Sequence, residues 1–148
     1  MADLRGGLAG ELLPHTGIAR LLTNIVRSGP GFVEATGRVS AVHPLVAGDR
    51  APCFLGLELG AQAAAALAAL ERTAATGDHA PGTGYLVRVR EATFLQLDLP
   101  VDTPLAVTAH LTGAAHALAI YRIRVSVGGV ESLQATLSTH RGTYPAPI

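Results

Sequence analysis

Two residues of this chain, His43 and Glu58, have the types and spacing for acid–base chemistry. Glu58 and Gln62 are four positions apart, which puts them one turn from each other on the same face of a helix. A carboxylate on a buried helix is costly unless it is paired or holds a proton. A protonated carboxylic acid in apolar surroundings is a good general acid at neutral pH. His43 lies upstream across a loop short enough to fold back on the start of that helix. A His, a Glu and the free N–H groups of a helix N-terminus together supply a base, an acid and a site for a developing oxyanion. The residues alone leave a second reading open, with His43 an ordinary loop residue and Glu58 tied into a structural hydrogen bond.

The element that carries Glu58 is predicted as a helix from Phe54 to about Ala75, rich in Ala, Leu and Glu and free of proline. Pro52 stands where a helix can start, and Gly77 where it should stop. Leu55, Leu57, Leu59, Ala63, Ala66, Leu67 and Leu70 do not fall on one narrow stripe, so most sides of the helix should be buried. Its length would also suit a membrane span, but Glu58, Gln62, Glu71 and Arg72 interrupt it, and a core helix is expected. Around it the pattern is that of strands. Arg20 to Arg27 and Phe32 to Ser40 flank a Ser-Gly-Pro-Gly turn. After a polar turn from Thr76 to Thr83 come Tyr85 to Leu97, a connection over Leu99 to Pro104, then Leu105 to Leu111 and Leu118 to Val127. Thr112 to His116 is read as the turn between the last two. Gly128-Gly129 predicts a tight hairpin into Val130 to His140. The fold class is therefore α+β, a curved antiparallel sheet of about six strands wrapped around one long helix. The whole chain, residues 1–148, reads as one domain, with residues 1–10 and 142–148 as loose ends.

Composition narrows the partners. With 49% hydrophobic and 15% charged residues the surface is lean in charge, which suggests that another subunit covers part of it. Eleven basic and eleven acidic residues balance, which disfavours nucleic acid. A single Cys excludes an internal disulfide and a Cys-rich metal site. The first residues, Met1-Ala2-Asp3-Leu4-Arg5, do not form a charged-then-apolar signal segment, so a cytoplasmic protein without membrane partners is expected.

His43-Pro44-Leu45, Ala51-Pro52-Cys53, Gly56-Leu57-Glu58 and Gln62 follow one another in an order that resembles the 3-hydroxyacyl-acyl-carrier-protein dehydratases. These are hot-dog-fold enzymes, and the likeness is greatest to the subgroup of aryl-polyene and related secondary-metabolite clusters. It runs from about Leu12 to Arg141. The resemblance implies that His43 removes the α-proton beside a thioester carbonyl and that Glu58 protonates the departing β-hydroxyl. The peptide N–H of Cys53, at the helix start, would receive the negative charge of the carbonyl oxygen. Gln62, Pro52 and Gly56 would support them, Gln62 by orienting Glu58 or a water. No metal or redox cofactor is implied; the substrate would ride on the phosphopantetheine of an acyl carrier protein, or on CoA. The site would be shared between two subunits, two copies of this chain or this chain and a related dehydratase. Thr16 stands where relatives carry Arg, Thr23-Asn24 where they carry Asp-Arg, and Cys53 where they carry Gly. A nucleophilic role for Cys53 at a helix start is weaker, because no paired His is evident. His15 is read as a structural loop residue. Arg88, Arg90, Arg122 and Arg124 alternate along two strands, as a solvated face does, or as a group that docks an acidic carrier protein. Two other activities fit the same motifs: a hot-dog thioesterase, and a non-catalytic subunit that partners an active dehydratase.

Overall fold

The computed structural model describes residues 12–13, 16–77 and 84–141. The expectations for the two chain ends and for His15 fall outside them. In chain order, a 3-10 turn at Gly17–Ala19 leads into β1 (Leu22–Gly29), β2 (Phe32–Gly37), β3 (Arg50–Pro52) and α1 (Leu55–Thr76). Then follow β4 (Gly84–Phe94), β5 (Asp98–Pro100), β6 (Leu105–Ala115), β7 (Leu118–Val127) and β8 (Val130–Arg141). Six strands make one antiparallel sheet in the order β1-β2-β6-β7-β8-β4, and β3 pairs with β5 in a separate ribbon.

α1 begins and ends within a residue of its predicted bounds. Gly77 closes it with φ 73°, a left-handed conformation that glycine adopts without penalty, and donates its N–H to Thr73 O. Pro52 is not the first helical residue: it ends β3, opposite Asp98, and Phe54 is the N-cap. A two-stranded ribbon is all edge, so the missing proline N–H costs it little. Gly128 and Gly129 both have positive φ, at 56° and 81°, as a tight hairpin between β7 and β8 requires. At the other end of β7 the strands run further than predicted. Thr112 to Ala115 belong to β6, and the turn is made by His116, φ 55°, and Ala117.

The sheet curls around α1, which packs chiefly on β6, β2 and β7, with β1 and β8 at the margins. Along β7, Ala119, Tyr121, Ile123 and Val125 are buried against the helix side and alternate with exposed Arg122 and Arg124. The helix is not covered on every side. Leu57, Ala61, Ala65 and Ala68, spaced by about one turn, form a half-buried stripe on the side away from the buried row. β4 lies at the edge of the sheet, and every side chain described on it is exposed.

Three glycines let the helix sit close to the sheet. A Cβ at Gly60 would lie 2.3 Å from Ile123 Cδ1, 3.0 Å from its Cγ1 and 3.1 Å from its Cβ. Cβ atoms at Gly56 and Gly37 would overlap Leu133 and Leu59. At Gly60 and Gly37 part of the obstacle cannot rotate away: the Ile123 Cβ is fixed to its strand, and the Leu21 carbonyl oxygen, 2.9 Å from a Cβ at Gly37, belongs to the backbone. Gly60→Val should therefore destabilise the fold by about 1–3 kcal/mol, the usual cost of overpacking, read as a lower urea midpoint.

Candidate active site

Gln62 is fully buried in the second turn of α1, with 0% of its surface exposed. Its Oε1 accepts the backbone N–H groups of Leu21 (2.8 Å) and Leu22 (3.0 Å). Its Nε2 donates to Ala19 O (2.7 Å) and to Glu58 Oε1 (3.0 Å). Both donors and both acceptor positions of the amide are thereby used. Three backbone groups around residue 20 decide which end of the amide is which, so Glu58 is offered a donor and its Oε1 must accept. The carboxyl group is half-buried, less enclosed than the sequence suggests, and sits in the first turn of the helix.

His43 sits in a double turn between β2 and β3, where its N–H donates to Ser40 O and its carbonyl accepts Val46 N–H. The ring is half-buried, and its Nδ1 accepts the N–H of Leu45 at 3.1 Å. A neutral imidazole that accepts at Nδ1 carries its proton on Nε2. Among the described residues no hydrogen bond joins His43 to Glu58. The loop is fastened by residues that the sequence marks only as a connection. Asp102, φ 49°, donates its N–H to Val39 O (2.8 Å), and its Oδ1 accepts Ala41 N–H (3.4 Å). Val101 N–H donates to Asp49 O, and Arg50 pairs with Asp98 at 2.6 Å across the β3–β5 ribbon. An Asp that can take a left-handed turn is the available signal for this anchor.

Cys53 lies between the ribbon and the helix. Its N–H, the expected oxyanion donor, is directed at Leu97 O over a long 3.4 Å. A carbonyl oxygen of a substrate would have to displace that contact. Phe54 and Leu55, the next two residues, show no acceptor for their N–H groups among the described residues, as is usual at a helix start. The Cys53 thiol is buried, donates to Ser132 O (3.6 Å) and is pushed above its ordinary value of 9.0 by burial and then by the Asp98 charge. A nucleophile needs the opposite shift. Gly56 touches Leu133 and Val125 from the helix side, so its role is close packing.

The four arginines stand elsewhere. Arg122 and Arg124 project from the face of β7 away from α1, and Arg88 and Arg90 pair with Ser138 and Thr136 on that same outer face. Arg124 lies 3.8 Å from Glu131. Within one chain none of them borders the helix start that holds Glu58.

One helix wrapped by a six-stranded antiparallel sheet, with a carboxyl group in the first turn of the helix and a histidine in the loop before it, defines a hot-dog protein. The family model described as ApeP-like, ApeP dehydratase, matches residues 8–146, and the chain belongs to that dehydratase family. Among solved structures it is similar to the dehydratase heterocomplex ApeI:P from Xenorhabdus doucetiae, with a TM-score of 0.83 and 19% identity over 94% of this chain and 93% of that one. A hypothetical thioesterase with coenzyme A from Streptococcus pneumoniae TIGR4 matches with a TM-score of 0.60 and 13% identity, over 80% and 84% of the two chains. AziG of S. sahachiroi matches with a TM-score of 0.60 and 14% identity, over 83% and 92%. No curated protein matches. No helix among the described residues is long and apolar enough to cross a membrane.

Two outcomes follow from the site. Gln62→Leu leaves two N–H groups and one carbonyl without partners in a buried place, and should cost about 3 kcal/mol or more in urea unfolding, at about 1–3 kcal/mol for each orphaned group. Burial also raises the Tyr121 hydroxyl, with the Glu71 charge adding to it, as it raises the Cys53 thiol. The folded chain then holds both protons more tightly than the unfolded chain. That stability is complete below the ordinary thiol value of 9.0 and is lost as pH climbs towards the raised values. Unfolding free energy measured across alkaline pH should fall from about pH 9 upward, and less steeply in Cys53→Ala.

Proposed function

We propose that the chain is a subunit of a dehydratase that turns 3-hydroxyacyl thioesters, carried on an acyl carrier protein or CoA, into trans-2-enoyl thioesters. A base removes the α-proton, the electron pair forms the α,β double bond, and the β-hydroxyl takes a proton from the acid and leaves as water. Glu58 is the acid. The observation that carries this is its placement: a half-buried carboxyl in the first turn of α1, positioned by the hydrogen bond that Gln62 Nε2 donates to its Oε1. His43 is the base, acting in a site completed by a second subunit, either another copy or a related dehydratase. Two features support a shared site: the half-buried apolar stripe on α1 and the open β4 edge. The heterocomplex of the similar ApeI:P supports a non-identical second subunit.

His43 must change to act. A base that accepts through Nε2 needs that nitrogen bare, so the ring has to turn or give up Leu45 N–H when substrate binds. The same contact favours a second reading, in which the chain lends only Glu58 and the half-site containing His43 is silent. Turnover of a 3-hydroxyacyl carrier-protein thioester by the assembly that copurifies with the tagged chain tests both. Glu58→Gln should lower kcat by about 10²–10⁴-fold, the usual contribution of a general acid, and the product should be enoyl thioester and water. A loss below tenfold would overturn the role of Glu58 and leave a non-catalytic partner subunit; free acid and free thiol would make the protein a thioesterase. A full loss in Glu58→Gln with none in His43→Ala selects the second reading.

A further inference from the structure

Beside the helix start lies a cleft that the chemistry of Glu58 and His43 does not use. Arg50, Gln96, Asp98, Val127, Val130 and Ser132 line it, and its volume is about 200 Å³. Its two charges are committed to each other, since Arg50 and Asp98 pair at 2.6 Å. An anion would have to break that pair, so the cleft suits an uncharged group. Ser132 is buried, with 2% of its surface exposed. Its carbonyl accepts Leu95 N–H at 2.8 Å, Gln96 N–H at 3.3 Å and the Cys53 thiol at 3.6 Å. Its hydroxyl makes no hydrogen bond among the described residues. A buried hydroxyl without a partner is costly, and a wholly apolar ligand would leave it so. The exposed Gln96 side chain also makes no hydrogen bond among the described residues, and it offers both a donor and an acceptor.

The cleft adjoins the candidate oxyanion donor. Leu97, whose carbonyl receives the Cys53 N–H, follows Gln96 directly, and the Cys53 thiol reaches Ser132 O. Glu58 stands on the other flank of the helix: Gln62 ties it to the start of β1, whereas Ser132 is on β8, and these two strands lie at opposite margins of the helix contact. A thioester with its carbonyl oxygen at the Cys53 N–H and its acyl carbons towards Glu58 therefore directs its sulfur towards the cleft. Resting on the dehydratase reading, we infer that the cleft holds the first amide beyond that sulfur in the arm that carries the acyl group. Ser132 and Gln96 are its hydrogen-bond partners, and Val127 and Val130 flank its methylenes. A secondary amide is uncharged, has one donor and one acceptor, and is common to CoA and to the phosphopantetheine of a carrier protein. The volume is below the roughly 300–1,000 Å³ of a pocket for a whole drug-sized ligand, so it takes this segment rather than the entire arm.

Two substrates with the same 3-hydroxyacyl group separate the amide from the rest of the arm. One is the thioester of N-acetylcysteamine, which keeps the amide; the other is that of pentanethiol, equal in length with methylenes in its place. The copurified assembly should favour the first in kcat/KM by about tenfold, and Ser132→Ala and Gln96→Ala should each lower that ratio severalfold, through KM rather than kcat. Binding is read separately by titrating the isotope-labelled chain with S-methyl-N-acetylcysteamine, which cannot react, and following amide resonances. Shifts should centre on Gln96 and Ser132. They should vanish in Val130→Trp, which fills the mouth of the cleft from a position 59% exposed and so does not burden the core. A ratio unchanged in both alanine variants would overturn the inference, as would probe shifts that are absent, lie elsewhere or survive Val130→Trp. Failure to turn over either thioester would instead count against the dehydratase reading, and the titration would still decide the cleft.

Discussion

The hydrogen bonds of the Gln62 amide join three parts of the chain that nothing in the sequence brings together: the turn before β1, the start of β1, and the first turn of α1. Two backbone N–H groups meet its oxygen, and one backbone carbonyl together with the Glu58 carboxyl meets its nitrogen. A buried amide with a partner missing would be costly, so the helix and the first strand are held at one relative position. The backbone contacts also fix the direction of the amide. Glu58 therefore meets a donor at Oε1 rather than an acceptor. The geometry of the candidate acid is thus set by main-chain atoms around Leu21, remote in sequence from the helix that bears it.

Close approach of helix and sheet is the second constraint. Gly37, Gly56 and Gly60 bring α1 near enough to β2, β7 and β8 that their own Cβ atoms would overlap neighbours. That contact uses one side of an apolar helix and leaves the Leu57, Ala61, Ala65 stripe only half covered. Phe54 at the helix start is exposed too, and β4 lies outside the main helix contact with its apolar residues in solvent. A charge content of 15% fits a fold that leaves some of its hydrophobic surface for a second chain to cover. In the proposed dehydratase, the pairing of subunits and the sharing of a site are two consequences of one incomplete core.

The periodicities of the sequence read well wherever an element is long enough to repeat. α1 lies within a residue of its expected ends because a proline-free apolar run bounded by Gly77 admits little else, and β7 has its predicted bounds because Tyr121, Ile123 and Val125 alternate with arginines. Gly128-Gly129 turns where two positive φ values are needed. β3 and β5 are not legible in the sequence because three residues cannot display a period. Pro52 suits a helix start for its missing N–H, a property that an edge ribbon tolerates equally well.

Residue type and spacing determined that the described residues hold one long helix, a sheet to cover it, and a His and a Glu on either side of the helix start. They also determined that Arg88, Arg90, Arg122 and Arg124 fall in two pairs, each on one face of its strand, since period-two positions always share a face. Tertiary structure alone decided what lies opposite each face. It turned the arginines away from Glu58, gave His43 Nδ1 to Leu45, directed the Cys53 N–H at Leu97, and left the side chains of β4 in solvent. A sequence pattern records the symmetry of a single element, whereas a hydrogen bond between residues 40 apart depends on how the elements close on one another.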